Sequence, residues 1–114
     1  MHRLYMPRWV PRVLRQVRLL VAAGRVRFTL KALHELAALD LGFDESDACD
    51  ILKRLGAADF RERLASETTG EWMYVFVPRI AGSRLYLKII VRADCVVVSF
   101  HEQVDHEQAE EDHE

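Results

Sequence analysis

Cysteine is nearly missing from this chain: Cys49 and Cys95 are its only two. Two thiols cannot build the disulfide framework of a small secreted domain, nor a zinc site by themselves. Cys49 falls in a helical pattern and Cys95 opens a strand, so both read as small core residues in a reducing, cytoplasmic setting. Long apolar runs are also missing. None approaches the ~20 residues of a membrane span, and no membrane association is expected. Pro7, Pro11 and a scatter of arginines interrupt the N-terminus, which does not read as a signal peptide. There is no glycine-rich phosphate loop, no Ser-His-Asp pattern and no His-Glu-x-x-His spacing, so no cofactor and no metal site is expected. His101, His106 and His113 sit among acids near the C-terminus; a solvated tail is favoured there over a loose metal site.

Half of the 114 residues are hydrophobic, enough for one domain with one core. The net charge of −2 conceals an asymmetry. Residues 1–34 carry Arg3, Arg8, Arg12, Arg15, Arg18, Arg25, Arg27 and Lys31 and no acid, whereas residues 102–114 carry seven acids and no base. Without that acidic end, 16 bases face 11 acids. A basic body suits a polyanion, nucleic acid first of all. The expected organisation is a single domain over 1–102 and an acidic, disordered tail over 103–114.

Pro11 suits the first turn of a helix, and Val13, Leu14, Val17, Leu20 and Val21 recur at helical spacing until Gly24. This predicts a helix over 11–23, with Arg12, Arg15 and Arg18 on its outer side, where they steer RNA or form a solvated face. Tyr5 and Trp9 read as an arm packed on the body. Val26-Arg27-Phe28-Thr29 reads as a short extended link. Thr29 is a candidate N-cap for a second helix whose apolar side is Leu30, Leu33, Leu36, Ala37 and Leu41, with His34 partly buried beside it and Gly42 as its stop. Asp44 caps a third helix that buries Ala48, Ile51, Leu52 and Leu55 and ends at Gly56. A tight turn anchored by Phe60 leads to a polar strand over 61–67, a strong strand over 71–77 stopped by Pro78, and a turn at Ala81-Gly82-Ser83.

The last two strands form the most telling stretch. In Arg84-Leu85-Tyr86-Leu87-Lys88-Ile89-Ile90-Val91-Arg92, the residues Leu85, Leu87, Ile89 and Val91 share one face, while Arg84, Tyr86 and Lys88 share the other. A polar break at Ala93-Asp94 returns the chain through Cys95–Phe100. The expected fold is α+β in two layers: three N-terminal helices packed on a mainly antiparallel sheet of about four to six strands, with the sheet's other face open to a ligand. Arg61, Arg63, Arg79, Arg84, Lys88 and Tyr86 are expected to converge on that open face. Arg and Lys stabilise charge building on a phosphate in flight. A phenol with a reference pKa of about 10 is a poor base, but neighbouring cations would lower that value.

Tyr86-Leu87-Lys88-Ile89 followed by Val97-Val98-Ser99-Phe100 resembles the C-terminal hairpin of the MqsR family, toxin ribonucleases of bacterial toxin–antitoxin pairs. Val17–Arg27, with its Gly-x-Val-Arg exit from the first helix, fits as well. So do Leu41-Gly42-Phe43-Asp44, Asp59-Phe60, Trp72 and Val77-Pro78-Arg79, and the resemblance covers roughly residues 12–102. It implies a RelE-like fold, sequence-specific and metal-independent cleavage of messenger RNA, and a cognate MqsA-like antitoxin able to bind DNA. The family's catalytic tyrosine lands on Tyr86 and its following lysine on Lys88. The family's lysine on the first strand of the C-terminal sheet falls on Arg61 or on Glu62, depending on the direction of the count. Met73 stands where the family has a glutamine.

The expected catalytic residues are therefore Tyr86, Lys88, Arg61 and Arg63, with Arg79, Arg84 and Met73 contacting RNA. A second reading rests on Met73 and Glu62: a catalytically weak module of the same fold that binds RNA or antitoxin without cutting. Salt-dependent binding without strand scission would mark that module.

Overall fold

The computed structural model describes residues 7–104. The expectations placed on Tyr5, on His106 and His113, and on the acidic tail beyond Val104 lie outside those residues.

Helix α1 (Trp9–Ala22) buries Val10, Leu14, Val17 and Leu20, the apolar stripe of the sequence extended upstream by one turn. It starts two residues before Pro11, whose missing N–H costs nothing anywhere in a first turn. Gly24 ends it at φ 74°. The Gly24 N–H donates to the Val21 carbonyl at 3.0 Å and the Arg25 N–H to that of Leu20 at 2.8 Å, a Schellman closure.

Val26–Phe28, expected as a mere link, is strand β1. It pairs in parallel with β6 (Cys95–Glu102), Val26 opposite Cys95 and Phe28 opposite Val97. The helices therefore do not all precede the sheet, and the sheet is mixed. A three-residue strand is too short to show periodicity, and its partner lies at the other end of the chain.

Thr29 caps α2 (Leu30–Ala38) as expected, its hydroxyl accepting the Ala32 N–H at 3.0 Å. The helix ends before Gly42, because Leu39 turns extended. Its buried residues are Ala32 and Leu36; Leu30 is 70% exposed, and His34 is exposed rather than packed. Helix α3 (Glu45–Arg54) opens on a reciprocal capping box between Asp44 and Asp47 and buries Ala48, Ile51 and Leu52. Arg18, expected on a free outer face, instead donates to the Leu55 carbonyl at 3.0 Å, just past the end of α3. It satisfies a helix-end acceptor and ties α1 to α3. A 3-10 turn at Ala57–Asp59 leads into the sheet.

The remaining strands are β2 (Phe60–Ala65), β3 (Trp72–Phe76), β4 (Arg79–Ile80) and β5 (Ser83–Val91). The order is β1-β6-β5-β3-β2, antiparallel except at β1, with β4 pairing the start of β5. Ala81 and Gly82, at φ 53° and 82°, make the tight β4–β5 turn.

One sheet face carries the core: Phe76, Leu85, Leu87, Ile89, Cys95, Val97 and Phe100 pack on the buried stripes of the three helices. The alternation of β5 is as expected, with Leu85, Leu87 and Ile89 fully buried. Burial pushes the Cys95 thiol up to about 12, so it stays an inert thiol. β1 covers only the first part of β6. Beyond it, Glu35 of α2 accepts the Phe100 N–H at 2.8 Å and pairs with Lys31 at 2.8 Å, while Lys31 donates to the Ser99 hydroxyl at 2.9 Å. Side chains of α2 thus finish a strand edge that no strand among the described residues covers.

Candidate active site

Two bulges set the open face. In β2, Phe60 opposes Phe76 and Glu62 opposes Val75, so Arg61 is the extra residue. In β6, Val97 opposes Ile89 and Ser99 opposes Lys88, so Val98 is the extra residue. A bulge re-aims the side chains beyond it. Here the second bulge lets Phe100 enter the core opposite Leu87 and places His101 opposite Tyr86 on the open side.

Glu62, Val75, Lys88 and Ser99 form one cross-strand row there. Val75 is fully buried and Ser99 nearly so, which makes the floor of the row dry. Tyr86 and His101 form the adjoining row, with rings stacked at 4.9 Å between centroids and 12° between planes. On the other side of the polar row the face turns apolar, with Leu64 opposite Met73 and Ile90 opposite Val96.

The electrostatics differ from the expectation at the phenol. Neighbouring cations were expected to lower the Tyr86 pKa; instead it is raised above its usual value. Burial is the largest cause and Glu62 adds to it, while Arg61 only partly opposes them. Lys88 approaches the ring, its Nζ 6.0 Å from the centroid. Tyr86 is therefore less ready than an ordinary phenol to lose its proton. Lys88 moves the other way: burial first, then the charge of Lys31, lower its pKa, with Glu35 and Glu62 partly restoring it. Burial would raise Glu35, but the hydrogen bonds from Lys31 and the Phe100 N–H, with the charges of Lys31 and His101, hold it below the ordinary carboxylate value. The site thus holds an ionised carboxylate, a lysine readier than usual to release a proton, and a phenol reluctant to do so.

Tyr86, Lys88, Arg61 and Met73 are brought to this face. Arg84 shares the face by strand parity but is exposed at the hairpin end, opposite Arg79. Arg79 lines a cleft with Ile51, Arg54 and Asp59 on the helical side. Arg63 is not with Tyr86 at all. It opposes Tyr74, and its guanidinium lies between the rings of Trp9 and Trp72, 4.4 and 3.8 Å from their centroids, on the face that carries the helices. Sequence reasoning missed Glu62, Lys31, Glu35 and the place of His101. Glu62 appeared as one reading of an ambiguous count and as a ground for the non-cutting module, never as a charge beside Tyr86, and His101 was grouped with the tail. Among the described residues no three His, Cys, Asp or Glu side chains gather as a metal site would, and no helix is long and apolar enough to cross a membrane.

The family described as "Motility quorum-sensing regulator, toxin of MqsA" matches residues 11–102. The mRNA interferase toxin MqsR of Escherichia coli (strain K12) is 38% identical over 91 residues, which cover 79% of this chain and 91% of that protein.

Proposed function

The chain belongs to the MqsR toxin family, and on that premise we propose that it is an mRNA interferase, an endoribonuclease toxin whose cutting of messenger RNA arrests translation and growth. An MqsA-like antitoxin is its natural restraint, and the helix-on-sheet layout agrees with the RelE-like arrangement that the family implies. The observation that carries the reading is the Tyr86 phenol, half-buried on an otherwise open sheet face, with Arg61 near enough to act on it and Lys88 beside its ring.

The reaction is transesterification. The ribose 2′-oxygen bonds to the adjacent phosphorus, the bond to the 5′-oxygen breaks, and a 2′,3′-cyclic phosphate and a 5′-hydroxyl result. Arg61 holds the scissile phosphate, since a guanidinium matches two phosphate oxygens at once. The Tyr86 hydroxyl, still protonated, donates to a non-bridging oxygen as charge builds there. Lys88, its pKa depressed by burial, hands a proton to the departing 5′-oxygen. Met73 and Ile90 offer an apolar shelf to a neighbouring base, with Arg84 following the backbone.

Tyr86→Phe keeps the ring, its burial and its stacking, and removes only the donor. It is expected to slow single-turnover cleavage of messenger RNA by about 100-fold and to relieve growth arrest, while the protein stays folded. Undiminished cleavage by this variant would remove Tyr86 from the chemistry.

A further inference from the structure

The reaction assigned above still lacks an acceptor for the 2′-hydroxyl proton. Tyr86 holds its own proton, Lys88 is spent on the leaving group, and the Glu35 carboxylate is already engaged by Lys31 and the Phe100 N–H. Two candidates remain on the face: Glu62, exposed, and His101.

His101 is built for the task. Its Nδ1 lies 2.9 Å from the Glu102 carbonyl oxygen, which can only accept, so Nδ1 carries the hydrogen and the neutral ring leaves Nε2 bare. Its plane is held parallel to the Tyr86 ring, so orientation about its own side-chain bonds is restricted before substrate arrives. Glu62, by contrast, is exposed and makes no contact among the described residues that fixes its orientation on this face.

We propose that His101 is the general base of this site, Nε2 taking the proton from the 2′-hydroxyl as the oxygen–phosphorus bond forms. The inference rests on the ribonuclease reading above. The proton balance closes: one proton arrives at His101, another leaves Lys88 for the 5′-oxygen, and solvent resets both. The imidazolium formed faces groups of both signs. The Glu35 carboxylate is near enough to attract it; the Tyr86 ring stacked on it has Glu62 and Arg61 as its own charged neighbours, and Lys88 and Lys31 stand in the adjoining row.

The test is single-turnover cleavage of a short RNA carrying the cut site, from pH 5 to 9, by the wild-type chain, His101→Gln and His101→Phe. The phenylalanine keeps the stack and loses the base, together with the contact to the Glu102 carbonyl. The wild-type rate is expected to rise from the acid side as the general base loses its proton. Both variants are expected to be slower by about 100-fold at pH 7.5 and to lose that rise. His101→Phe cleaving at the wild-type rate would make the imidazole a stacking platform and overturn the proposal. So would a wild-type rate that stays flat from pH 5 to 7.5, a result that needs no variant to fold. Absence of cleavage by the wild-type chain would overturn the ribonuclease reading itself, and this proposal with it.

Discussion

Arg61 and Arg63 carry the same charge two positions apart, yet they serve opposite sides of the sheet. Simple alternation would put both on one face. The bulge at Arg61 leaves it beside Tyr86 and turns Arg63 in among the aromatics of Trp9, Trp72 and Tyr74. The two alanine variants should therefore part company. Arg61→Ala is expected to slow RNA cleavage by at least about 10-fold, with a stability change within ~0.5 kcal/mol, as for an exposed position. Arg63→Ala is expected to cost about 1 kcal/mol in urea denaturation, through two lost cation–π contacts, and to leave the cleavage rate of the folded fraction unchanged. Equal effects on cleavage would return Arg63 to the site. Tyr86 and Lys88 were legible in the sequence because β5 is regular where they lie. Arg63 and the sign of the Tyr86 pKa shift were not: the first depends on a bulge in its own strand that shows only in the pairing with β3, the second on burial and on the Glu62 carboxylate of another strand.

Strand β6 shows how one extra residue builds a site. Counted back from the Arg92–Asp94 turn, an unbroken ladder would set Tyr86 opposite Phe100. Val98 absorbs the difference, so Phe100 fills the core and His101 reaches Tyr86. Nothing in Val96-Val97-Val98 announces this, since three valines have no polar side to betray a change of phase. The bulge has its own fastening. The Thr29 N–H donates to the Val97 carbonyl at 3.0 Å, and the Thr29 hydroxyl donates to the Val98 carbonyl at 3.3 Å while accepting the Ala32 N–H. One side chain thus caps α2 and holds the bulge. Thr29→Ala is expected to lower stability by ~1–2 kcal/mol in urea denaturation, whereas Thr29→Ser, which keeps both hydroxyl contacts, stays within ~0.5 kcal/mol. A neutral Thr29→Ala would mean that neither contact matters. The capping role was legible from Thr29 and its place before an apolar run; the fastening of β6 was not, because it joins distant parts of the chain.

The molecule as a whole divides its labour between two sheet faces. One face is closed by three helices; the apolar stripes of α1 and α3 were readable from spacing, as was the two-layer α+β design, whereas the stripe read for α2 included Leu30 and Ala37, which are exposed, and left out the buried Ala32. The parallel strand β1 was not readable, and with it the mixed character of the sheet. The cationic excess of the first third proves to be partly structural. Arg18 ends α3, and Arg25 closes the last hairpin through the Ala93 carbonyl and Asp94, at 2.9 and 3.1 Å. Arg8, Arg12 and Arg15 remain exposed along α1 for a polyanion to meet. The other sheet face holds the phenol, the lysine, the imidazole and Arg61, the parts from which cleavage at a ribose–phosphate junction can be assembled. Incubating the purified chain with a long messenger RNA in the presence of a chelator, and identifying the new termini, asks whether that assembly works. The expected result is a set of cuts at a recurring sequence, each leaving a 2′,3′-cyclic phosphate and a 5′-hydroxyl. RNA bound but left intact, or cut to give 5′-phosphate ends, would contradict it.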